Sequence, residues 1–191
     1  MTEKEVEQKI ILALRPYFNI DQEVWSKDGK SRIDFVLTCK KSGAIFGLEI
    51  KKIDKKKGDE VGKIVEQCFR YTNSEFNISG TYKKIPIFLA PPLSYHFFIC
   101  PEEKEIINGF EFFKDRHDKN HEHHSINGFL GNFGVGELRT FIYHDKQYFR
   151  FMMSNKIIWS NQPEWNSKEI RGLHEVNYKF LLSKILTHTP K

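Results

Sequence analysis

The chain lacks most of the features that announce a role at once. Only three cysteines occur in 191 residues, at Cys39, Cys68 and Cys100. No two form a CxxC pair, and an odd, scattered set argues against a disulfide framework, a zinc knuckle or an all-cysteine iron–sulfur cluster. A reducing, cytoplasmic setting is the expectation. No run approaches the ~20 apolar residues of a membrane span. The polar, acidic N-terminus has no apolar segment of the kind that directs secretion. There is no internal repeat and no linker that splits the chain. Charge of one sign is also in short supply: 30 Lys and Arg stand against 25 Asp and Glu, a net +5, with a pI near 9.0. That balance suits a polyanionic partner without naming one.

What the chain does have is aromatic mass. Seventeen Phe within a 39% hydrophobic composition are enough for a packed core and exclude global disorder. The length fits one domain with an elaboration. Residues 2–18 read as an amphipathic helix, with Thr2 and Glu5 at capping-box spacing, an inward stripe of Val6, Ile10, Ala13, Leu14 and Tyr17, and Pro16 near its end. Strands are expected at 22–26, 32–39 and 44–53. The short glycine-containing turns between them make antiparallel neighbours. A basic loop over 51–57 leads into a helix at 59–72, whose apolar stripe is Val61, Ile64, Val65, Cys68 and Phe69. A buried strand at 85–90 is halted by Pro91 and Pro92.

The second half is read as a short strand at 95–100, a helix over 102–113, a polar His-rich loop at 114–128, a hairpin over 136–159 and a final helix at 167–188 with Ser167 as its cap. The expected class is therefore α/β: a helix–three strands–helix–strand core over residues 2–95, with a C-terminal α+β elaboration over 96–191.

Two of the expected strands carry charge where a core strand should not. "RIDFVLTC" contains Asp34, and "GLEIKK" contains Glu49 and Lys51. Strand alternation sets Asp34 opposite to Ile33 and Phe35, and sets Glu49 and Lys51 together, opposite to Leu48 and Ile50. In the right register Asp34, Glu49 and Lys51 converge at one end of a sheet. Buried unpaired, they would be costly. A divalent cation relieves the repulsion of two carboxylates, and oxygen donors suit Mg²⁺ or Mn²⁺. Such a cation polarises a phosphoryl oxygen and acidifies bound water. Lys51 can orient or help deprotonate that water and offset charge in the transition state. On the following helix Lys63, Gln67 and Tyr71 recur every four residues and stack on one face, a row able to hold a nucleic-acid backbone or brace the lysine.

The run "RIDFVL…GLEIKK…EQCFRY" resembles the PD-(D/E)XK nuclease superfamily, in the branch that carries a QxxxY motif. The resemblance spans about residues 2–95 and rests on Asp34 lying 15 residues before Glu49, the Glu-x-Lys triplet, and Gln67 with Tyr71. It implies a restriction-endonuclease-like core and a metal-dependent nuclease, DNA being the favoured substrate. Asp34 and Glu49 would be metal ligands, joined by the carbonyl of Ile50, and Lys51 would be the catalytic lysine. Gln67 and Tyr71 would support the site near the substrate. The family often adds a Glu from the first helix, here Glu7, with Glu3 and Glu5 as rivals. Ile33 stands where the family name has Pro. Lys52 and Lys63 are candidates for phosphate contacts, which would make binding salt-sensitive. A homodimer would suit double-strand cleavage.

Other readings stay open. Asp34 and Glu49 can be strand-end carboxylates paired with Lys51 and Arg32. The basic run can be a solvated loop. The whole can be a nucleic-acid-binding module without turnover. His117, His121, His123 and His124 have spacings compatible with zinc, although a polar, substrate-facing loop accounts for them as well.

Overall fold

The computed structural model describes residues 3–51, 58–90, 104–107, 110–113, 129–143, 146–154 and 156–161. Helix α1 spans Glu3–Leu14. It stops there because Pro16 has no N–H to donate and disfavours helical backbone at Arg15. Its last turn closes through Arg15 N–H to the Ile11 carbonyl at 3.0 Å and Tyr17 N–H to the Leu14 carbonyl at 2.9 Å. The helix buries Val6, Ile11 and Leu14, while Ile10 and Ala13 sit at the margin of the core. Tyr17, expected inward, lies past the helix end and is exposed. Thr2 lies outside the described residues.

Strands β1 (Phe18–Trp25), β2 (Arg32–Cys39) and β3 (Ile45–Ile50) form an antiparallel meander. Helix α2 (Gly58–Asn73) then crosses one face. An unforeseen hairpin follows, β4 (Phe76–Ile78) and β5 (Thr81–Lys83). Its two turn residues, Ser79 and Gly80, have φ of 50° and 84°. That pair of left-handed residues matches the twist of the flanking strands. Strand β6 (Ile87–Ala90) returns parallel to β3.

The second half corrects two expectations. Residues 102–113 contain no helix among those described: β7 (Lys104–Ile107) and β8 (Phe110–Phe113) pair antiparallel, with Ile107 opposite Phe110. The β-branched and aromatic content of both runs and the Asn108-Gly109 dipeptide between them favour a hairpin over a helix. The hairpin expected over 136–159 is three strands: β9 (Val135–Tyr143), β10 (Lys146–Met153) and β11 (Lys156–Ser160). Strand β9 pairs parallel to β6, so this meander extends the main sheet. The result is a mixed seven-stranded sheet in the order β1-β2-β3-β6-β9-β10-β11, parallel at its centre and antiparallel at both flanks. The strand expected at 95–100, the loop at 114–128 and the helix at 167–188 lie outside the described residues.

Each face of the sheet buries its own core. On the α1 face Phe18, Phe46, Phe88 and Phe151 interlock with Trp159, with ring centroids between 4.6 and 6.0 Å apart. These rings account for part of the phenylalanine excess, and truncating one to Ala would cost about 3–5 kcal/mol. On the α2 face Val61, Ile64, Cys68 and Tyr71 pack on Ile33, Val36, Ile87, Leu89 and Val135. Among the described residues no helix is long and apolar enough to cross a membrane.

Candidate active site

The β2–β3 ladder is regular from Thr38–Ile45 to Phe35–Leu48 and then ends. The Ile50 N–H does not go on to a β2 carbonyl. It donates to Asp34 Oδ2 at 2.8 Å. A side-chain carboxylate thus replaces a backbone acceptor, and the two strands part at the C-terminal end of β3. Asp34 does not face opposite to both Ile33 and Phe35, as simple alternation requires. Phe35 belongs to the α1-face core and Ile33 to the α2-face core. The same switch occurs on β1, where Ile20 packs on the α1 side and Val24 on the α2 side. The residue across from Asp34 is Glu23, with φ of 49°. Both strands therefore rotate at the Glu23–Asp34 level, and Asp34 turns sideways towards β3.

Glu49 follows the alternation. Leu48 and Ile50 enter the α1-face core, and Glu49 faces α2, 1% exposed. Its Oε1 accepts from Lys51 Nζ at 2.5 Å and from Gln67 Nε2 at 2.8 Å. Its Oε2 is buried with no hydrogen-bond partner among the described residues. Gln67 Nε2 also donates to Tyr71 Oη at 2.6 Å, and Tyr71 Oη donates to the Arg32 carbonyl at 2.7 Å. The chain Arg32–Tyr71–Gln67–Glu49 ties α2 to the start of β2 and the end of β3.

Burial, and then the Asp34 charge, push the Glu49 carboxyl up to about 7, against the opposing pull of Lys51. Burial also raises Asp34, although its hydrogen bond from Ile50 and the Lys51 charge work the other way. Burial depresses the Lys51 ammonium, but Glu49, the hydrogen bond to it and Asp34 outweigh that, and the net shift is upward. Burial and the Glu49 charge push the Tyr71 phenol up to about 12, so it stays a hydrogen-bond donor at neutral pH.

Glu7 is half-buried on α1. Burial first, then the Asp34 charge, raise its carboxyl, which sets Glu7 within electrostatic reach of the cluster. Its α1 neighbour Glu3 acts on Asp34 and Lys51 in the same way. Glu5 is exposed. Lys63 is exposed on α2 one turn before Gln67, and Lys52 lies outside the described residues, as do His117, His121, His123 and His124. Arg32 pairs with Glu23 at 3.4 Å, not with Asp34.

Sequence reasoning missed a second buried ion pair. Glu137 on β9, 3% exposed, receives Arg139 at 3.1 Å. In register, Glu49, Leu89 and Glu137 form one row across β3, β6 and β9. The only signal was a repeated pattern, Glu137-x-Arg139 after Glu49-x-Lys51.

Among the described residues no group of three or more His, Cys, Asp or Glu side chains is arranged to hold a metal ion. Two carboxyls converge, close enough that each shifts the other's proton affinity, and one buried oxygen is left over. Hard oxygen donors of this kind fit a hydrated Mg²⁺, which keeps several waters and needs only one or two carboxylates from the protein. Comparison of the chain with protein-family models, curated proteins and solved structures found no match.

Proposed function

We propose that the chain is a divalent-metal-dependent nuclease of the PD-(D/E)XK type, acting on DNA by hydrolysis of a phosphodiester. The observation that carries this reading is the state of Glu49. A carboxyl group buried to 1% exposure, with one oxygen held by Lys51 and Gln67 and the other facing the Asp34 carboxyl with no donor from elsewhere among the described residues, is costly to ionise for structure alone. It is the arrangement that a bound cation would relieve. The sequence resemblance assigns roles to the same four residues, Asp34, Glu49, Lys51 and Gln67, and the order α1, β1–β3, α2, β6 is compatible with the core it implies.

In this reading Asp34 and Glu49 hold Mg²⁺ or Mn²⁺, with the Ile50 carbonyl as a third donor and Glu7 as a donor from α1. When bound, the cation supplies charge for the phosphoryl oxygens and a more acidic water. Lys51, held at 2.5 Å from Glu49, offsets charge developing on the phosphate and orients the attacking water. Gln67 and Tyr71 fix the Glu49 rotamer. Lys52 and Lys63 contact flanking phosphates.

The test is cleavage of single-stranded, linear and supercoiled DNA with Mg²⁺, Mn²⁺ or EDTA, comparing the native chain with Lys51→Ala. Breaks that need metal and fall about 10²-fold or more in the variant support the reading. Equal cleavage by both proteins would overturn it. A nucleic-acid-binding module without turnover is the second reading, favoured by the convergence of two carboxylates rather than three. It expects salt-dependent binding that persists without metal, and no breaks on any substrate.

A further inference from the structure

The site end of the sheet carries an exposed aromatic that the core does not need. Trp25, the last residue of β1, is 55% exposed. Tryptophan is highly buried on average, and this one sits directly across from Arg32 in the β1–β2 ladder. The Arg32 guanidinium lies over its ring at 5.5 Å from the centroid and also pairs with Glu23 at 3.4 Å. The Arg32 carbonyl is the acceptor of the Tyr71 hydroxyl, so this residue is tied to the candidate site through its own backbone. One strand across and two residues along puts Trp25 roughly 8 Å of backbone from Asp34.

A second ring repeats the arrangement. Two residues after Trp25, Lys27 lies over the exposed Tyr82 ring of β5, 5.6 Å from its centroid. Ser26, between them, is bridged to Phe76 at the start of the β4–β5 hairpin. Two exposed rings, each beside a cation that also pairs with a carboxylate (Arg32 with Glu23 and Lys27 with Glu75, both at 3.4 Å), therefore follow one another along the end of β1, the edge strand next to Asp34's β2. Rings that stack on bases, interleaved with cations that meet phosphates, are the elements of a sequence-tolerant single-strand track. Base pairs in a duplex present no open π-face to such rings.

We infer that Trp25–Arg32 and Tyr82–Lys27 form a track for unpaired nucleotides, which leads single-stranded DNA to the site. This rests on the nuclease reading for its destination, but not for the binding itself. Trp25 stacks on an unpaired base next to the reacting phosphate, and Tyr82 stacks on one further from it.

The experiment measures binding of a fluorescent oligothymidylate and of a duplex of equal length, with Ca²⁺ in place of Mg²⁺, for the native chain, Trp25→Ala, Trp25→Phe and Tyr82→Ala. Because both rings are exposed, the substitutions leave the fold intact, which the circular-dichroism melting curve checks. Trp25→Ala is expected to weaken oligothymidylate binding about tenfold or more, Tyr82→Ala less, and Trp25→Phe about threefold at most. Duplex binding should change less than about twofold. Unchanged oligothymidylate binding in Trp25→Ala, equal losses on duplex and single strand, or no oligothymidylate binding by the native chain would each overturn the track. Cleavage with Mg²⁺ is scored separately. Ring-dependent binding without breaks keeps the track and removes the nuclease. Breaks without ring dependence do the reverse.

Discussion

The Gln67 amide nitrogen lies 2.6 Å from the Tyr71 hydroxyl and 2.8 Å from Glu49 Oε1, so one side chain uses both of its N–H groups to join a phenol to a buried carboxylate. The phenol in turn spends its own proton on the Arg32 carbonyl at 2.7 Å. Every donor in this chain has a defined direction, and removing any member leaves a buried group short of a partner. Tyr71→Phe removes the hydroxyl while keeping the ring against Phe76. It should lower stability by about 1–2 kcal/mol, read as a drop in the urea midpoint. Gln67→Ala should reduce metal-dependent cleavage by about 10–100-fold, because the carboxylate loses one of the two groups that orient it. Full activity in Gln67→Ala would show that Lys51 alone positions Glu49.

Asp34 has two jobs that substitution can separate. Its Oδ2 accepts from the Ile50 N–H at 2.8 Å, and its charge serves the proposed cation. Asp34→Asn keeps an acceptor oxygen and removes the charge. It should stay within about 1 kcal/mol of the native stability while losing Mg²⁺-dependent cleavage. Asp34→Ala leaves the Ile50 N–H without its partner and should cost about 1–3 kcal/mol in addition. If the two variants melt together, the hydrogen bond to Ile50 contributes nothing measurable.

Much of the site was legible from residue spacing, and the part that was not has a definite cause. Glu49 and Lys51 obey the two-residue period of a strand, and Gln67 and Tyr71 obey the four-residue recurrence of a helix, so both pairs could be read directly. Asp34 could not. Its direction depends on a rotation of two strands at the Glu23–Asp34 level, where Glu23 has φ of 49°, and nothing in Glu or Asp announces that conformation. The Glu137–Arg139 pair was hidden for another reason. Its significance lies in the parallel register of β9 with β6, a long-range pairing that local pattern does not encode. The strands β7 and β8 were misread as a helix, although the Asn108-Gly109 dipeptide carried the opposite signal.

The raised Glu49 carboxyl makes a pH prediction whose sign is fixed. Its ordinary value is 4.5, and burial and Asp34 hold it at about 7 in the folded chain. Between those values the folded state keeps a proton that the unfolded state has released. Stability from this group is therefore complete below about 4.5 and is lost as pH rises through about 7. Asp34 is raised as well and contributes with the same sign. With EDTA present, the melting temperature should fall between pH 5 and pH 8, and Glu49→Gln should flatten that slope. The proposed Mg²⁺ would bind the ionised form, so saturating Mg²⁺ should stabilise the chain more at pH 8 than at pH 5. A metal-free stability that rises steadily over this range would contradict the buried, proton-holding Glu49.

Gly47 gives the sharpest packing test, because it couples the core to the site. It lies on β3 two residues before Glu49, with its open side towards α2. A Cβ there would sit 2.5 Å from Ile33 Cδ1 and 2.7 Å from Ile87 Cδ1, closer than any tolerated contact. Both neighbours are fully buried, so neither can swing into solvent, and Gly47→Ala should cost about 1–3 kcal/mol or more. Ile33 belongs to β2 and Ile87 to β6, the strands on either side of β3, so a shift within the sheet relieves one contact by tightening the other. Strand β3 must instead lift at Gly47, which would disturb the Ile50–Asp34 hydrogen bond and shift Glu49. Cleavage should fall together with stability. Ile33→Val deletes the Cδ1 that the new methyl strikes first. The double variant Gly47→Ala with Ile33→Val should then recover part of the melting temperature and part of the activity together. Recovery of stability without activity would mean that the position of Glu49 is set by α2 and not by the packing beneath β3.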